Sequence, residues 1–458
     1  MFFELVYDKS LAQASYVIGC QKAGIAAVID PKRDVDTYLK IAAENDLKIT
    51  HILETHIHAD FLSGSRELAQ LTGGELYLSD EGDKDWKYEF QHNKLKHGDC
   101  IHLGKIAFEV IHTPGHTPEH LSFLLTDYPA TDKPVMLFTG DFVFVGDVGR
   151  PDLLEQAAGL KGTKEKGAHD LFESLKNFVK MQDYILLWPA HGAGSACGKA
   201  LGAVNMSTVG YEKIRNWAVQ LLNDKAAFTD ELLADQPEPP RYFAMMKKLN
   251  KVDRKLLTEV PKIKNLSDLE YQEAMKKRLK LIDARPKEQF SKNFLKGAIN
   301  IPNENSFSTW MGWFLNYEAY FVLIAAPEEI EDLTRKLMRI GMDNIYGFIT
   351  PEQLLEFEKG NLSSYESIEK EAVKHKMRVA DVQIIDIRGK SEYNEGHIEG
   401  AKNVFMGTMD ENFDQISKDK EAVVYCNTGN RSAIAYSILV ANGFENITNY
   451  SGGWEEWN

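Results

Sequence analysis

The 458-residue sequence has no run of 18 apolar residues, so no membrane-spanning helix is expected. Its first residues, Met1-Phe2-Phe3-Glu4-Leu5-Val6-Tyr7-Asp8, lack a basic segment and carry acids early, unlike a secretory signal. Only four cysteines occur, Cys20, Cys100, Cys197 and Cys426, too few for a disulfide framework in a chain of this length. Reduced thiols and a cytoplasmic location are the expectation. Positive charge is short: 53 Lys and Arg face 68 Asp and Glu, a net charge of −15. General binding to nucleic acid or to an anionic membrane needs a basic face and is not expected. A local basic pocket for a small anion is compatible with that balance. Histidine is scarce late in the chain. Eleven of the thirteen precede residue 192, leaving His375 and His397, so metal or acid–base chemistry is expected in the N-terminal part.

What is present suffices for several hydrophobic cores. Hydrophobic residues make up 43 % and charged residues 26 %, as in ordinary globular chains, and the length suits three domains at about 100–200 residues each. The C-terminal part repeats itself. Leu281-Ile282-Asp283-Ala284-Arg285 aligns with Ile384-Ile385-Asp386-Ile387-Arg388, and Gly297-Ala298 with Gly400-Ala401, in the same register. Each copy opens on an apolar strand ending in Asp-x-Arg. A second buried strand follows (Tyr320 to Ala325, Ala422 to Tyr425), then a helix, which predicts doubly wound α/β sheets. Charged stretches at Lys251–Pro261 and Glu358–Val373 read as junctions. The expected domains are 1–255, 262–358 and 373–458.

The N-terminal part carries Thr55-His56-Ile57-His58-Ala59-Asp60-Phe61 after the strand-like run Ile49 to Leu53. Thr113-Pro114-Gly115-His116, Thr139-Gly140-Asp141 and Pro189-Ala190-His191-Gly192 follow, the last two each after another apolar run. Separate strand ends thus deliver His or Asp into loops, where metal sites are commonly built. One such element alone would read as a turn or a core histidine; four in this order point to a metal.

This pattern resembles the metallo-β-lactamase fold, an αββα sandwich of the α+β class with metal at one edge of its two sheets. Hydrolases of that family hold two metals, and the residue after the Asp60 equivalent is a histidine ligand. Here it is Phe61, which cannot ligate. The resemblance to the mononuclear persulfide dioxygenase branch implies one Fe(II) per chain on His56, His116 and Asp141. Two histidines and a carboxylate with open positions form the facial triad of non-haem iron oxygenases. Zinc has no redox chemistry with which to activate O₂. His58, Asp60 and His191 become residues that orient ligands or move protons. Arg150, in Gly149-Arg150-Pro151-Asp152, is a candidate to bind the anionic group of a thiol carrier, or else a structural ion pair. Cys197, in the Gly-rich segment after His191, is a candidate to carry sulfur near the metal, or else a buried packing residue. Cys20 and Cys100 read as packing residues.

A second site lies in Val423-Val424-Tyr425-Cys426-Asn427-Thr428-Gly429-Asn430-Arg431-Ser432. A buried strand leads into a six-residue loop, with a helix predicted over 432–442. Backbone N–H groups of Asn427, Thr428, Gly429 and Asn430, with the helix N-terminus, form an anion nest around the Cys426 sulfur. Such a nest favours a thiolate or a persulfide. Arg431 closes the loop by bonding carbonyls or by attracting an anionic substrate. With Gly396-His397-Ile398-Glu399-Gly400-Ala401 and Gly452-Gly453-Trp454, these residues resemble a rhodanese, and the loop length is that of sulfurtransferases. The first copy reads Ile324-Ala325-Ala326-Pro327-Glu328-Glu329 at the corresponding place, with no Cys and no Arg. It is expected to be an inactive rhodanese-like domain, with Trp310-Met311-Gly312-Trp313-Phe314 as core or interface.

The architecture resembles the fused persulfide dioxygenase–sulfurtransferases of bacterial sulfide detoxification. That implies oxidation of a low-molecular-weight thiol persulfide by O₂ to sulfite, and sulfur transfer through Cys426 with thiosulfate as product if sulfite accepts. A homo-oligomer is expected. The alternatives are a glyoxalase II-type thioester hydrolase with an appended sulfurtransferase, and a non-enzymatic sulfur carrier whose metal is structural.

Overall fold

The computed structural model describes residues 1–458 except 154, 156–161 and 200. The chain divides into two compact units: Met1–Val260 with Met338–Gly341, and Pro261–Leu337 with Met342–Asn458.

The first unit holds two six-stranded sheets. One runs in sequence order through β1 (Phe2–Asp8), β2 (Gln13–Cys20), β3 (Ile25–Ile29), β4 (Lys48–Leu53), β5 (Glu75–Ser79) and β6 (Asn93–Leu95). The other contains β7 (Cys100–Leu103), β8 (Ile106–His112), β9 (Leu121–Asp127), β10 (Met136–Gly140), β11 (Leu186–Pro189) and β12 (Ser207–Thr208). Every residue of β2 is buried, because both faces of its sheet are covered. Ala14, Tyr16, Ile18 and Cys20 share a core with Phe108, Val110, Phe123, Leu125 and Phe138 of the second sheet. Val17, on the opposite face, joins Tyr38 and Ile41 of the helix Asp36–Glu44 and Leu68 of the helix Ser65–Thr72. Outside the second sheet, Leu171, Phe172 and Leu175 of the helix Thr163–Phe178 pack on Leu137 and Leu187. The result is the expected αββα layering, read directly from the period-2 division of the strands.

The run expected as a junction belongs to this unit as far as Val260. Arg254 reaches the buried Glu67, with Nη1 donating to Oε1 at 2.6 Å and Nη2 to Oε2 at 3.0 Å. Within the run read as a junction, Arg254 is thus tied down by a buried carboxylate.

The second unit contains the two copies. The first has the parallel sheet order β15-β13-β16-β17, with β13 Lys280–Asp283, β15 Ala298–Asn300, β16 Phe321–Ile324 and β17 Ile345–Ile349. A two-stranded piece pairs β14 (Phe294–Leu295) with β18 (Leu362–Ser363). The second copy has the order β20-β19-β21-β22, with β19 Gln383–Asp386, β20 Lys402–Asn403, β21 Ala422–Tyr425 and β22 Ile447–Asn449. The two orders are equivalent strand for strand. The copies share apolar contacts: Tyr436 of the helix Asn430–Ala441 sits in the core of the first copy beside Phe294. Trp313 meets Phe405 edge to face at 5.4 Å, so part of the aromatic cluster serves the contact between copies.

Candidate metal centre and sulfur-transfer loop

The loops after β4, β8, β10 and β11 converge. β10 and β11 run parallel, so their C-terminal ends present Asp141 and His191 at one edge. β10 ends at Gly140, with φ +51°, where a Cβ would stand 2.6 Å from both His120 Nε2 and Thr55 Oγ1. Glycine is required there by both conformation and space.

His56, His116 and Asp141 are buried and each offers a ligand atom within 4.8 Å of the others. His116 Nε2 is 3.4 Å and His56 Nε2 3.9 Å from Asp141 Oδ2. The far nitrogens are anchored. His116 Nδ1 donates to the Arg150 carbonyl at 2.9 Å, which leaves Nε2 free as a ligand. His56 Nδ1 is 2.9 Å from Thr55 Oγ1, whose hydroxyl donates to Asp30 Oδ2 at 2.8 Å. Burial, reinforced by His58 and His120, holds His56 well below the usual imidazole range; burial lowers His116 too, against the pull of Asp141. Neutral imidazoles are the form that binds metals. Burial would raise Asp141, but the surrounding histidines outweigh it and keep its carboxyl low. His56 Nε2 and both Asp141 oxygens are buried with no hydrogen-bond partner, and a bound cation would satisfy all three. The residues therefore fit a metal ion.

A second cluster lies alongside. Asp60, His191 and Cys197 also present ligand atoms within 4.8 Å of one another. His191 Nε2 is 3.3 Å from Asp60 Oδ2 and 3.4 Å from Asp141 Oδ1, and its Nδ1 donates to the Ala12 carbonyl at 3.0 Å. Burial, then the Asp141 and Asp60 carboxylates, push the Cys197 thiol well above its ordinary range. Asp60 is raised by burial and by Asp141, against His191 and His58. Phe61 is fully buried with its ring 4.4 Å from that of His58. His58 Nε2 lies 3.2 Å from Asp30 Oδ1. Burial would lower His58, but Asp30, Glu54 and Asp60 raise it to about 9. The Asn250 amide fastens this loop, donating to the His58 and Phe61 carbonyls, each at 2.8 Å, and accepting from Ser63 N at 2.9 Å.

Several supporting residues escaped the sequence reading. His120 accepts from Asp141 N at 3.0 Å and stacks on His56. It lies four residues after His116, a spacing that could have drawn notice. Glu119 accepts from Ile57 N at 2.8 Å, and burial pushes its carboxyl up to about 7. Arg150 needs correction. It is fully buried; Nε and Nη2 fork onto Asp152, and Nη1 donates to the carbonyls of Ala196 and Pro237. These bonds brace the segment before Cys197, so of the two alternatives the structure shows the ion pair. Cys100 is also corrected: it is exposed on β7, whereas Cys20 is buried.

In the second unit, Cys426 follows β21 and is nearly inaccessible. Gly429 N donates to its Sγ at 3.1 Å, which begins the expected nest. Gly429 has φ +81°, and a Cβ there would meet the Ser451 carbonyl at 2.1 Å. The helix starts at Asn430, two residues earlier than the sequence suggests. Among the described residues Arg431 bonds no loop carbonyl. Its Nη1 and Nη2 form a fork onto Glu392 at 2.6 and 2.7 Å. Trp454 N donates to the Cys426 carbonyl at 2.8 Å, which gives the Gly-Gly-Trp segment a bracing role. The Asp-x-Arg pairs are structural corners in both copies: Arg388 forks onto Asp386 and Arg285 onto Asp283. In the first copy the loop after β16 caps itself, with Ala326 N donating to Glu329 Oε2 at 3.4 Å.

Comparison with known proteins follows this division. The metallo-beta-lactamase superfamily model matches residues 10–227, and the rhodanese-like domain model matches residues 369–458. The crystal structure of a metallo-beta-lactamase from Staphylococcus aureus subsp. aureus COL is 43 % identical, covers 77 % of this chain and 98 % of that one, and superposes with a TM-score of 0.69. The mitochondrial persulfide dioxygenase ETHE1 of Bos taurus is 29 % identical over 41 % of this chain and 66 % of its own. Hydroxyacylglutathione hydrolase GloC of Haemophilus influenzae is 26 % identical over 38 % of this chain and 83 % of its own. From the αββα layering, the ligand-bearing strand ends and these matches, the chain belongs to the metallo-beta-lactamase superfamily and carries a C-terminal rhodanese-like domain.

Proposed function

We propose that the chain is an Fe(II)-dependent persulfide dioxygenase, with one iron per chain, joined to a sulfurtransferase that works through Cys426. One observation carries the first half: His56, His116 and Asp141 form a buried two-histidine, one-carboxylate cluster, and Phe61 stands where a histidine would complete a second site. Iron held there by His56, His116 and Asp141 would supply the redox chemistry that joins a persulfide sulfur to O₂. The chain's own groups do the rest. The Arg150 carbonyl and Thr55 hold the imidazoles in the tautomer that points Nε2 inward. Phe61 removes a ligand and water from the pocket wall. His191 and Asp60 sit beside Asp141, within reach to hold a proton. Cys197 is placed to receive sulfur once a cation balances the neighbouring carboxylates and lowers its thiol. Serine at 197 should then slow persulfide turnover; unchanged turnover removes this role.

In the sulfurtransferase half, the Gly429 N–H and the helix N-terminus stabilise the Cys426 persulfide anion, and its outer sulfur passes to an acceptor. Sulfite as acceptor gives thiosulfate, which would remove the product of the first half. The bovine relative's name accords with this reading.

The deciding experiment supplies the Fe(II)-loaded protein with glutathione or coenzyme A persulfide and follows O₂ uptake, sulfite and thiosulfate. Uptake with sulfur oxidation, and thiosulfate that disappears in Cys426→Ser, supports the whole reading. No uptake with one iron bound overturns it. A second reading, two-metal thioester hydrolysis, draws on the Asp60, His191 and Cys197 cluster beside Asp141. Two metals per chain and thioester cleavage without O₂ uptake would favour it.

A further inference from the structure

Beside the Cys426 loop lies a cleft of about 70 Å³ that neither copy forms alone. Lys287, Ile301, Pro302 and Trp310 come from the first copy; Asn430, Arg431 and Ile434 come from the second. Its volume is several times that needed for one water. Lys287 Nζ donates to Asn430 Oδ1, on the first residue of the helix that follows the loop. That partner is neutral, and among the described residues Lys287 forms no ion pair. The Arg431 guanidinium is balanced by Glu392. Glu304 and Ser306 line the cleft from its exposed rim. Lys287 is therefore the lining cation without an ion-pair partner among the described residues, although the Glu304 carboxylate shares the cleft with it. The helix N-terminus adds positive potential at the same place. Burial of Ile301 and Ile434 on the other side lowers the local dielectric and strengthens both.

We infer that Lys287, from the copy without a cysteine, forms with Arg431 the subsite that receives the charged end of a small sulfur oxyanion at Cys426. This rests on the sulfurtransferase reading. The reaction served is nucleophilic. The sulfite sulfur lone pair attacks the outer sulfur of the Cys426 persulfide and an S–S bond forms. The bond between Cys426 Sγ and that sulfur breaks, its electron pair stays on Sγ as the thiolate, and thiosulfate leaves. No oxidant or reductant is consumed. Two anions must approach each other in this step, and a cation beside the loop lowers the repulsion. Lys287 is a specificity residue: it selects oxyanions over neutral acceptors and leaves the sulfur atom's own bonding to the loop.

Two measurements on the full chain test this. With the Cys426 persulfide preloaded, Lys287→Ala should raise KM for sulfite about tenfold, move KM for the neutral thiol 2-mercaptoethanol less than about twofold, and change kcat little; Lys287→Arg should keep the wild-type values. Equal losses for both acceptors, or an unchanged sulfite KM, overturns the subsite. Calorimetry of thiosulfate binding to Cys426→Ser, which needs no transfer, should show about tenfold weaker binding when Lys287→Ala is added. Unchanged binding also overturns the subsite. If that binding weakens while the wild-type chain transfers no sulfur, the sulfurtransferase reading falls and the subsite stands.

Discussion

The two copies in the second unit have the same strand order, the same buried Asp-x-Arg corner and the same chain direction, yet only one has a loop suited to holding an anion. The difference lies in six residues after the third strand of each sheet. In the second copy, Gly429 takes a left-handed conformation and turns its N–H onto the Cys426 sulfur. In the first, Pro327 starts a short helical turn and Glu329 fills the Ala326 N–H with the chain's own carboxylate. A scaffold is held by its corners and strands, while a site is held by a few backbone N–H groups, so the second is lost without harm to the first. The first copy nonetheless lends Lys287 to the other's loop.

Five substitutions break or sharpen that contrast. The largest effect is expected from Cys426→Ser, which should reduce sulfur transfer to background in a persulfide-to-sulfite assay; residual transfer would point to another cysteine of the chain, Cys197 first, since the first copy has none. Gly429→Ala comes next. The left-handed backbone costs a side chain about 1–2 kcal/mol, and the Ser451 carbonyl blocks the added Cβ. Displacing the loop by about 1 Å should lower kcat/KM for sulfur transfer about 100-fold, with circular dichroism unchanged. Arg285→Ala and Arg388→Ala should each destabilise the protein by about 3–5 kcal/mol in urea unfolding, since each strands a buried carboxylate. Similar losses mark the corner as shared scaffold; a loss confined to one copy would show that the corners have diverged.

The smallest effect concerns Glu392, which has no counterpart bonded to an arginine in the first copy's loop. Burial raises its carboxyl, but the bond to Arg431 outweighs that and sets it below the ordinary range. A lowered folded pKa gives stability that is fully present above the unfolded value, about 4.3, and lost as pH falls through the folded one. The side chain is 37 % exposed, so the contribution is under about 1 kcal/mol after solvent screening. Wild-type stability should fall towards that of Glu392→Gln between about pH 5 and pH 3; parallel pH profiles for the two proteins would remove the pair as a source of stability.

Most strands were legible because their apolar runs are unbroken: Ala422–Tyr425 matches to the residue, and Ile49–Leu53 falls one short of β4. The convergence of His56, His116 and Asp141 was legible because each follows a strand end, a position that depends on local order. What sequence could not tell is which partner a long polar side chain chooses. Arg150 found Asp152 two residues away and Pro237 far along the chain; Arg431 found Glu392, 39 residues earlier. These choices depend on tertiary distance, to which periodicity is blind. The anchor of Arg254 in the charged run was hidden for the same reason, since Glu67 is 187 positions away.

The Asn250 amide, which ties the His58 and Phe61 carbonyls to Ser63, also determines how the protein can be dissected. A fragment ending at residue 227, where the superfamily match stops, would contain every metal-site residue named above and still lack that clasp. Its His56–Ser63 loop would lose three hydrogen bonds, and a weakly metallated fragment would then reflect the cut rather than the ligands. Even a fragment ending at 260 would keep that clasp but lack Met338–Gly341, whose Arg339 carbonyl accepts from Leu62 N at 2.6 Å, so the metal domain is best assayed in the whole chain.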